Sequence, residues 1–407
     1  MNIIRQTTAI WMLALSMTTA PAASADEVTD WNLAVRQLVV QSGANTPQAN
    51  RTMAIVHTAI FLAANAVSQQ YSVAESLAVQ ADAGTSIEAA VASAARNTLL
   101  ALLPGQQAGI ADVFDTAVNQ LDSSDRLENG FRVGERAAQI VLNMRKNDGH
   151  AAAERYRPVT TSGQYVPTTI PAVPQWPSRQ PWLMTSPDQF LPNPPPLLTS
   201  EQYATDLNEV RRLGAVNSVF RTREQTQVAK FWEATLPPVY HGVVHCVANL
   251  PGRSVTQNAR LYAAVTRAID DAMIAVFSAK YHFGFWRPIT AIRNADIDGN
   301  TSTERDPEWL SFIATPMHPE YPCAHCVVAG TVGAVLKAEI GTGRTPLLST
   351  QSDTAEGVTR TWRSIDGFVA EVSNARIYDG VHYRFSTIAG TAMGMLIGQQ
   401  AAEEYLN

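Results

Sequence analysis

Between residues 158 and 196 the chain carries eleven prolines, in stretches such as PAVPQWPSRQPW and LPNPPP. Proline lacks the backbone donor and fixes φ, so no helix and no central strand can cross such a segment. The helical text on either side must therefore fold as separate runs joined by an extended piece. That piece contains Trp176, Trp182, Phe190 and Leu191, large apolar side chains that a flexible linker has no use for. We read it as a strap laid against the helices.

On both sides of the strap, apolar residues recur at helical spacing, and strand-type alternation is scarce. The spacing predicts helices over 49–67, 86–103, 109–121 and 125–146, then over 201–213, 223–235, 255–285, 325–340, 354–378 and 388–405. Thr199 and Gln202 stand at capping-box spacing ahead of the 201–213 run. The expected fold is all-α, built from helical bundles: an N-terminal helical region (26–157), the proline-rich strap (158–198) and a C-terminal bundle (199–407). No internal repeat is found. Residues 1–25 read as a secretory signal peptide, with Arg5 before the apolar run AIWMLALSM and small residues up to Ala25. The protein is thus expected to be exported, to the periplasm or the medium. No later run is long and apolar enough to span a membrane, and a net charge of −6 gives no reason to expect a nucleic-acid partner. An anion site in such a chain has to be a local cluster of cations.

Three stretches offer one. In KYHFGFWRPITAIR, Lys280 and Arg287 lie seven residues apart, almost two helical turns, so both are expected on nearly one face of a helix cut short at Pro288. The aromatic residues between them belong in an interior, and buried cations need an anion or another partner, whether carboxylates or an oxyanion ligand. In HPEYPCAHCVVAGTVGAVL, a proline turn leads into a helix whose first N–H groups form an anion site. Cys323 and Ala324 would supply backbone donors there, and His325 is placed to exchange a proton. In SNARIYDGVHYRFS, Arg376 is followed six residues later by His382. The order is Lys-x6-Arg-Pro, then Pro-x-x-His after 33 residues, then Arg-x5-His after a further 50.

This order resembles the signature of the vanadium-dependent haloperoxidase and type 2 phosphatidic acid phosphatase superfamily: K-x6-R-P, P-S-G-H and S-R-x5-H-x3-D. The stretches KYHFGFWRPITAIR, HPEYP and HYRFS, with DWNLAV and ANRTMAIVHTAIF near the N-terminus, are similar to its soluble exported bacterial branch. The resemblance implies that Lys280, Arg287 and Arg376 hold the oxygens of vanadate or phosphate, with His325 as the acid/base. His382 would then be the vanadium ligand, or the nucleophile that takes up a phosphoryl group. Its leading implication is a haloperoxidase using hydrogen peroxide and a halide. The alternatives are an acid phosphatase acting on a phosphomonoester through phosphohistidine, with no cofactor, and a vestigial oxyanion binder.

The chain departs from the pattern at three places. Cys323 replaces serine, Ala324 replaces glycine, and Ser386 replaces the aspartate that would help orient His382. A thiol at 323 donates weakly, and peroxide would oxidise it, which counts against sustained haloperoxidase turnover. His318 occupies a location where related haloperoxidases carry a residue that tunes halide preference, and histidine there resembles the bromoperoxidase choice. Several rival readings use the same residues. The sequence leaves open whether Cys323 and Cys326 form a disulfide. CAHC also has the form of a C-x-x-C redox motif, but no βαβ context accompanies it. Zinc on His318, Cys323, His325 and Cys326 would be crowded for a tetrahedral site. DIDGN (296–300) reads as an acidic turn lacking the later glutamate of a calcium loop. His241 and His245, at i, i+4, are read as packing residues.

Overall fold

The computed structural model describes residues 26–121 and 125–405, so the signal-peptide reading lies outside the described residues. Five helices precede the strap: α1 (Glu27–Gln41), α2 (Thr46–Ser68), α3 (Ile87–Leu102), α4 (Gln107–Val118) and α5 (Asp125–Arg145). After it come α6 (Glu201–Leu213), α7 (Arg223–Phe231), α8 (Pro238–Ala248), α9 (Val255–Phe283), α10 (Pro288–Arg293) and α11 (Ala324–Ile340). A hairpin of β1 (Leu348–Gln351) and β2 (Thr359–Trp362) follows, then α12 (Ile365–Tyr378) and α13 (Arg384–Tyr405). The all-α expectation holds, with this one small hairpin added.

Local chemistry sets the boundaries. Asp26, Asn45 and Ser86 cap α1, α2 and α3 by accepting a backbone N–H in the first turn. Ser254 and Gln257 form a reciprocal capping box on α9. At α6 the cap is Ser200, accepting from Tyr203 N at 3.2 Å, and not the Thr199 that the spacing suggested. The long helix expected over 354–378 is shorter, beginning only at Ile365. Its first part is a turn at Gly357 (φ +75°) and strand β2, which pairs antiparallel with β1 in the register Leu348 to Trp362. Helix α8 was not anticipated; its His241 and His245 bond to Asn32 and Asn249. Asp298 of DIDGN accepts from Asn300 N and the Thr303 hydroxyl, as an acidic turn does.

Helix α9 organises the molecule. It packs on α2 from the N-terminal side and on α11 and α13 from the C-terminal side, and one continuous apolar core includes residues of all four. Midway along it, Asp270 and Asp271 are fully buried and fasten the strap. Asp270 accepts from Arg179 (2.5 and 2.9 Å) and from the Trp182 indole (2.8 Å). Asp271 accepts the backbone N–H groups of Trp182, Leu183 and Met184 at 2.7, 2.8 and 3.1 Å. Arg179 also reaches Asp148, which Arg51 of α2 holds at 2.9 Å. These buried charges are paired throughout, as burial requires. Among the described residues no helix is long and apolar enough to cross a membrane.

Candidate functional site

Helix α9 does not run on to Arg287. It ends at Gly284, whose φ of +60° is the left-handed C-cap that glycine adopts without strain. Arg287 is extended and caps α10, with Pro288 at the first helical position. The two cations are therefore not in step on one helix, as the seven-residue spacing suggested. They still converge, because the chain folds back within the turn. Lys280 and Arg287 are both buried, and each lowers the pKa of the other groups nearby.

Lys280 spends its three donors on the loop before α11: Pro319 O (3.2 Å), Glu320 O (2.7 Å) and Pro322 O (2.6 Å). Burial and then the Arg287 charge push its pKa well below the usual lysine value. Arg287 donates through Nε to His318 O (3.0 Å) and through Nη1 to Val381 O (2.9 Å). Its Nη2 lies 3.0 Å from His318 Nδ1 and its Nη1 3.4 Å from His382 Nε2. Arg376, in the last turn of α12, donates to Trp232 O (2.7 Å) and sits 2.5 Å from Asp379. Its Nε is buried without a partner.

The contacts fix the tautomers. A guanidinium can only donate, so His382 Nε2 accepts and its proton is on Nδ1. That proton faces Glu320 Oε1 at 2.6 Å. The same rule makes His318 Nδ1 an acceptor and leaves the proton on Nε2. Its other neighbour, Pro319 O at 3.1 Å, becomes a hydrogen-bond partner only if the ring is protonated. His325 Nε2 donates to Ala234 O at 3.1 Å, which leaves Nδ1 with the lone pair. Burial first, and the cations second, hold all three imidazoles neutral, with pKa values well below the usual histidine value. Burial also pushes the Glu320 and Asp379 carboxyls up to about 7, against the pull of the nearby cations.

His318, His325, Arg376 and His382 all line one cavity of about 230 Å³, whose remaining wall is largely apolar and includes Met273, Phe277 and Val328. The strap contributes Ala172 and Val173, the latter at φ +41°, a region that β-branched residues rarely occupy. A larger cleft near Glu27, Asp30 and Asp112 lies away from all three motifs. Ala324 borders the same cavity as the first residue of α11. Cys323 is committed elsewhere: its amide donates to Ser386 O (3.3 Å) and its sulfur forms a disulfide with Cys326. Neither donor expected from Cys323 is free. The disulfide also removes the thiol that peroxide would have consumed. It rules out zinc on these cysteines, and no group of three or more metal-binding side chains occurs among the described residues.

Glu320 is the candidate site residue that the sequence did not single out. Ser386 was expected to leave His382 without a charged partner, and the hydroxyl makes no hydrogen bond to that ring; it lies against Glu320 instead. The carboxylate comes instead from the HPEYP loop.

Residues 260–407 match the family model of the vanadium chloroperoxidase second helical-bundle domain. The structure superimposes on that of the first bacterial vanadium-dependent iodoperoxidase with a TM-score of 0.80, covering 94% of this chain and 96% of that one at 22% identity. The fold is that of the vanadium haloperoxidases. A bacterial vanadium-dependent chloroperoxidase in its holo form shares the vanadium-haloperoxidase fold at a TM-score of 0.71, with 18% identity over 89% of this chain and 93% of that one. In sequence, the vanadium chloroperoxidase of Curvularia inaequalis is 26% identical over 265 residues. That match takes in 51% of this chain and less than half, 42%, of the relative. The family resemblance read from the three motifs agrees with these matches.

Proposed function

We propose that the protein is a vanadium-dependent haloperoxidase in which His382 holds vanadate. The observation that carries this reading is the lone pair of His382 Nε2, met only by Arg287 Nη1 at 3.4 Å, with Nδ1–H engaged by Glu320 and Arg376 and His325 on the same cavity wall. The residues suit a tetrahedral oxyanion. Arg376 Nε is a buried donor without a partner, the first N–H groups of α11 have no carbonyl one turn back, and three cations outnumber two carboxyls whose charge burial disfavours. Bound vanadate would activate hydrogen peroxide toward a halide.

The chain's own groups divide the work. Arg287 and Arg376 neutralise oxyanion charge, and Lys280 contributes its field while clamping the 319–322 loop. His325 Nδ1 is the atom that takes up or returns a proton. His318 presents Nε2–H to the cavity, a donor suited to a halide. A second reading, a phosphatase forming phosphohistidine at His382, is favoured by the Glu320–His382 pair, since a carboxylate-oriented imidazole is also an activated nucleophile. Residues 1–25 support export; N-terminal sequencing of protein recovered from the periplasm or medium, starting at Asp26, tests it.

Metal-free protein supplied with vanadate separates the two chemistries. Peroxide-dependent halide oxidation should rise with vanadate, and phosphomonoester hydrolysis, if present, should fall. His382→Ala should abolish turnover. Phosphatase activity inhibited by vanadate, with no halide oxidation, would replace the first reading by the second. Unchanged turnover in the variant would remove the site assignment.

A further inference from the structure

Where the family pattern has an aspartate four residues after the histidine, this chain has Ser386, a buried hydroxyl that lies against the Glu320 carboxyl without reaching good hydrogen-bond geometry. The carboxylate that meets His382 belongs to Glu320, 62 residues earlier in the chain, on the loop that leads into α11. Glu320 is fully buried and pinned at both backbone ends: its N–H donates to Phe285 O (2.8 Å) and its carbonyl accepts from Lys280 Nζ (2.7 Å). Its Oε1 accepts from His382 Nδ1 at 2.6 Å and from Tyr383 N at 3.2 Å.

We propose that Glu320 is the positioning residue of His382, so that the orienting carboxylate has moved from the third motif to the second. This rests on the reading of His382 as the group that holds the oxyanion. Serine is shorter than aspartate, and its side chain leaves the space beside the imidazole that the longer glutamate enters from the facing loop. Ser386 lies next to Glu320. The carboxylate fixes the ring orientation and keeps the proton on Nδ1, which leaves the Nε2 lone pair for the ligand. Without that acceptor, only the 3.4 Å contact from Arg287 Nη1 would keep the proton off Nε2, and a bound oxyanion would take that contact over. With Lys280, Arg287 and Arg376 all lowering its basicity, His382 needs a partner that orients it without requiring the doubly protonated form. Glu320 then supplies the orienting carboxylate that Ser386 lacks, and the change at 386 does not mark decay of the site.

Two measurements test this. In metal-free protein labelled with 15N-histidine, with His382→Gln providing the assignment, His382 should show the Nδ1–H tautomer with a strongly deshielded proton. A proton on Nε2 would overturn the proposal, and this measurement needs neither vanadate nor a Glu320 variant that folds. Vanadate titration by calorimetry should then show Glu320→Ala binding about 10- to 100-fold more weakly than wild type, with Glu320→Gln falling between. Adding Ser386→Asp to Glu320→Ala should recover at least about tenfold of that loss, which a merely structural role for Glu320 would not allow. Binding of Glu320→Ala within about twofold of wild type, or no recovery in the double variant, would overturn the proposal. If wild type itself binds no vanadate, the haloperoxidase reading fails, while the tautomer still decides the role of Glu320.

Discussion

Cys323→Ser should weaken the fold and tighten the site at once. The Cys323–Cys326 disulfide closes a loop with a sequence separation of 3. Chain entropy for so short a loop gives about 2 kcal/mol of stabilisation, near the low end for disulfides. The lost bridge is the main cost, because serine serves the α11 N-cap at least as well: Cys323 Sγ now accepts from Cys326 N at 3.2 Å, and hydroxyl oxygen is the better acceptor. The gain comes from the hydroxyl proton. A disulfide sulfur has none, whereas a hydrogen bond to a charged group contributes about 1.5–3 kcal/mol, or roughly 10- to 100-fold in affinity. Cys326→Ala is the control, since it also removes the bridge but leaves position 323 with a weakly donating thiol. Urea unfolding should put both variants about 2 kcal/mol below wild type. Calorimetric titration of metal-free protein should show Cys323→Ser binding vanadate at least about tenfold more tightly than Cys326→Ala. Equal affinities would refute the implication of the family pattern that a hydroxyl at 323, beside the cavity-lining Ala324, reaches the oxyanion.

Two further outcomes concern the frame around the site. Burial alone would raise the Asp148 carboxyl, but Arg179 and Arg51 reverse that and hold it well below the usual aspartate range. Its stabilisation is therefore complete above the unfolded-state value and is lost as pH falls. Asp148→Asn should cost about 3–5 kcal/mol at pH 7. Below about pH 4 its deficit relative to wild type should shrink by about 1.4 kcal/mol per pH unit, as read by urea unfolding across the acid range. Gly394→Ala would place a Cβ 2.0 Å from Val327 O on the facing helix. It should lower stability by about 2 kcal/mol or more and weaken vanadate binding, because α11 and α13 carry or adjoin His325 and His382.

The all-α architecture was legible because helical periodicity is a local property, and most boundaries followed from caps and glycines. Arg376, His325 and His382 line one cavity, while Lys280 and Arg287 stand behind it, bonded to the 318–322 loop; their meeting is legible only through motif order, since nothing local brings together residues a hundred positions apart. The route was misread in one place. The Lys280–Arg287 spacing fits a continuous helix, and the Gly284 left-handed cap was passed over. Glu320 is not legible as a site residue because its partner lies 62 residues away, in a different motif. The signal was present: a lone acidic residue in HPEYP, among residues otherwise suited to burial. The β1–β2 hairpin was lost to the apolar spacing of the helix that follows it.

The strap has a consequence for what can enter. It begins as a proline-rich segment with few backbone donors, yet it is riveted to α9 through Asp270 and Asp271. Ahead of those rivets, Ala172 bonds to Met317 N-terminal of the HPEYP loop (Ala172 N to Met317 O, 2.7 Å). A wall fastened on both sides of Val173 does not swing aside. On the strap side, the width of the cavity is therefore set when the chain folds.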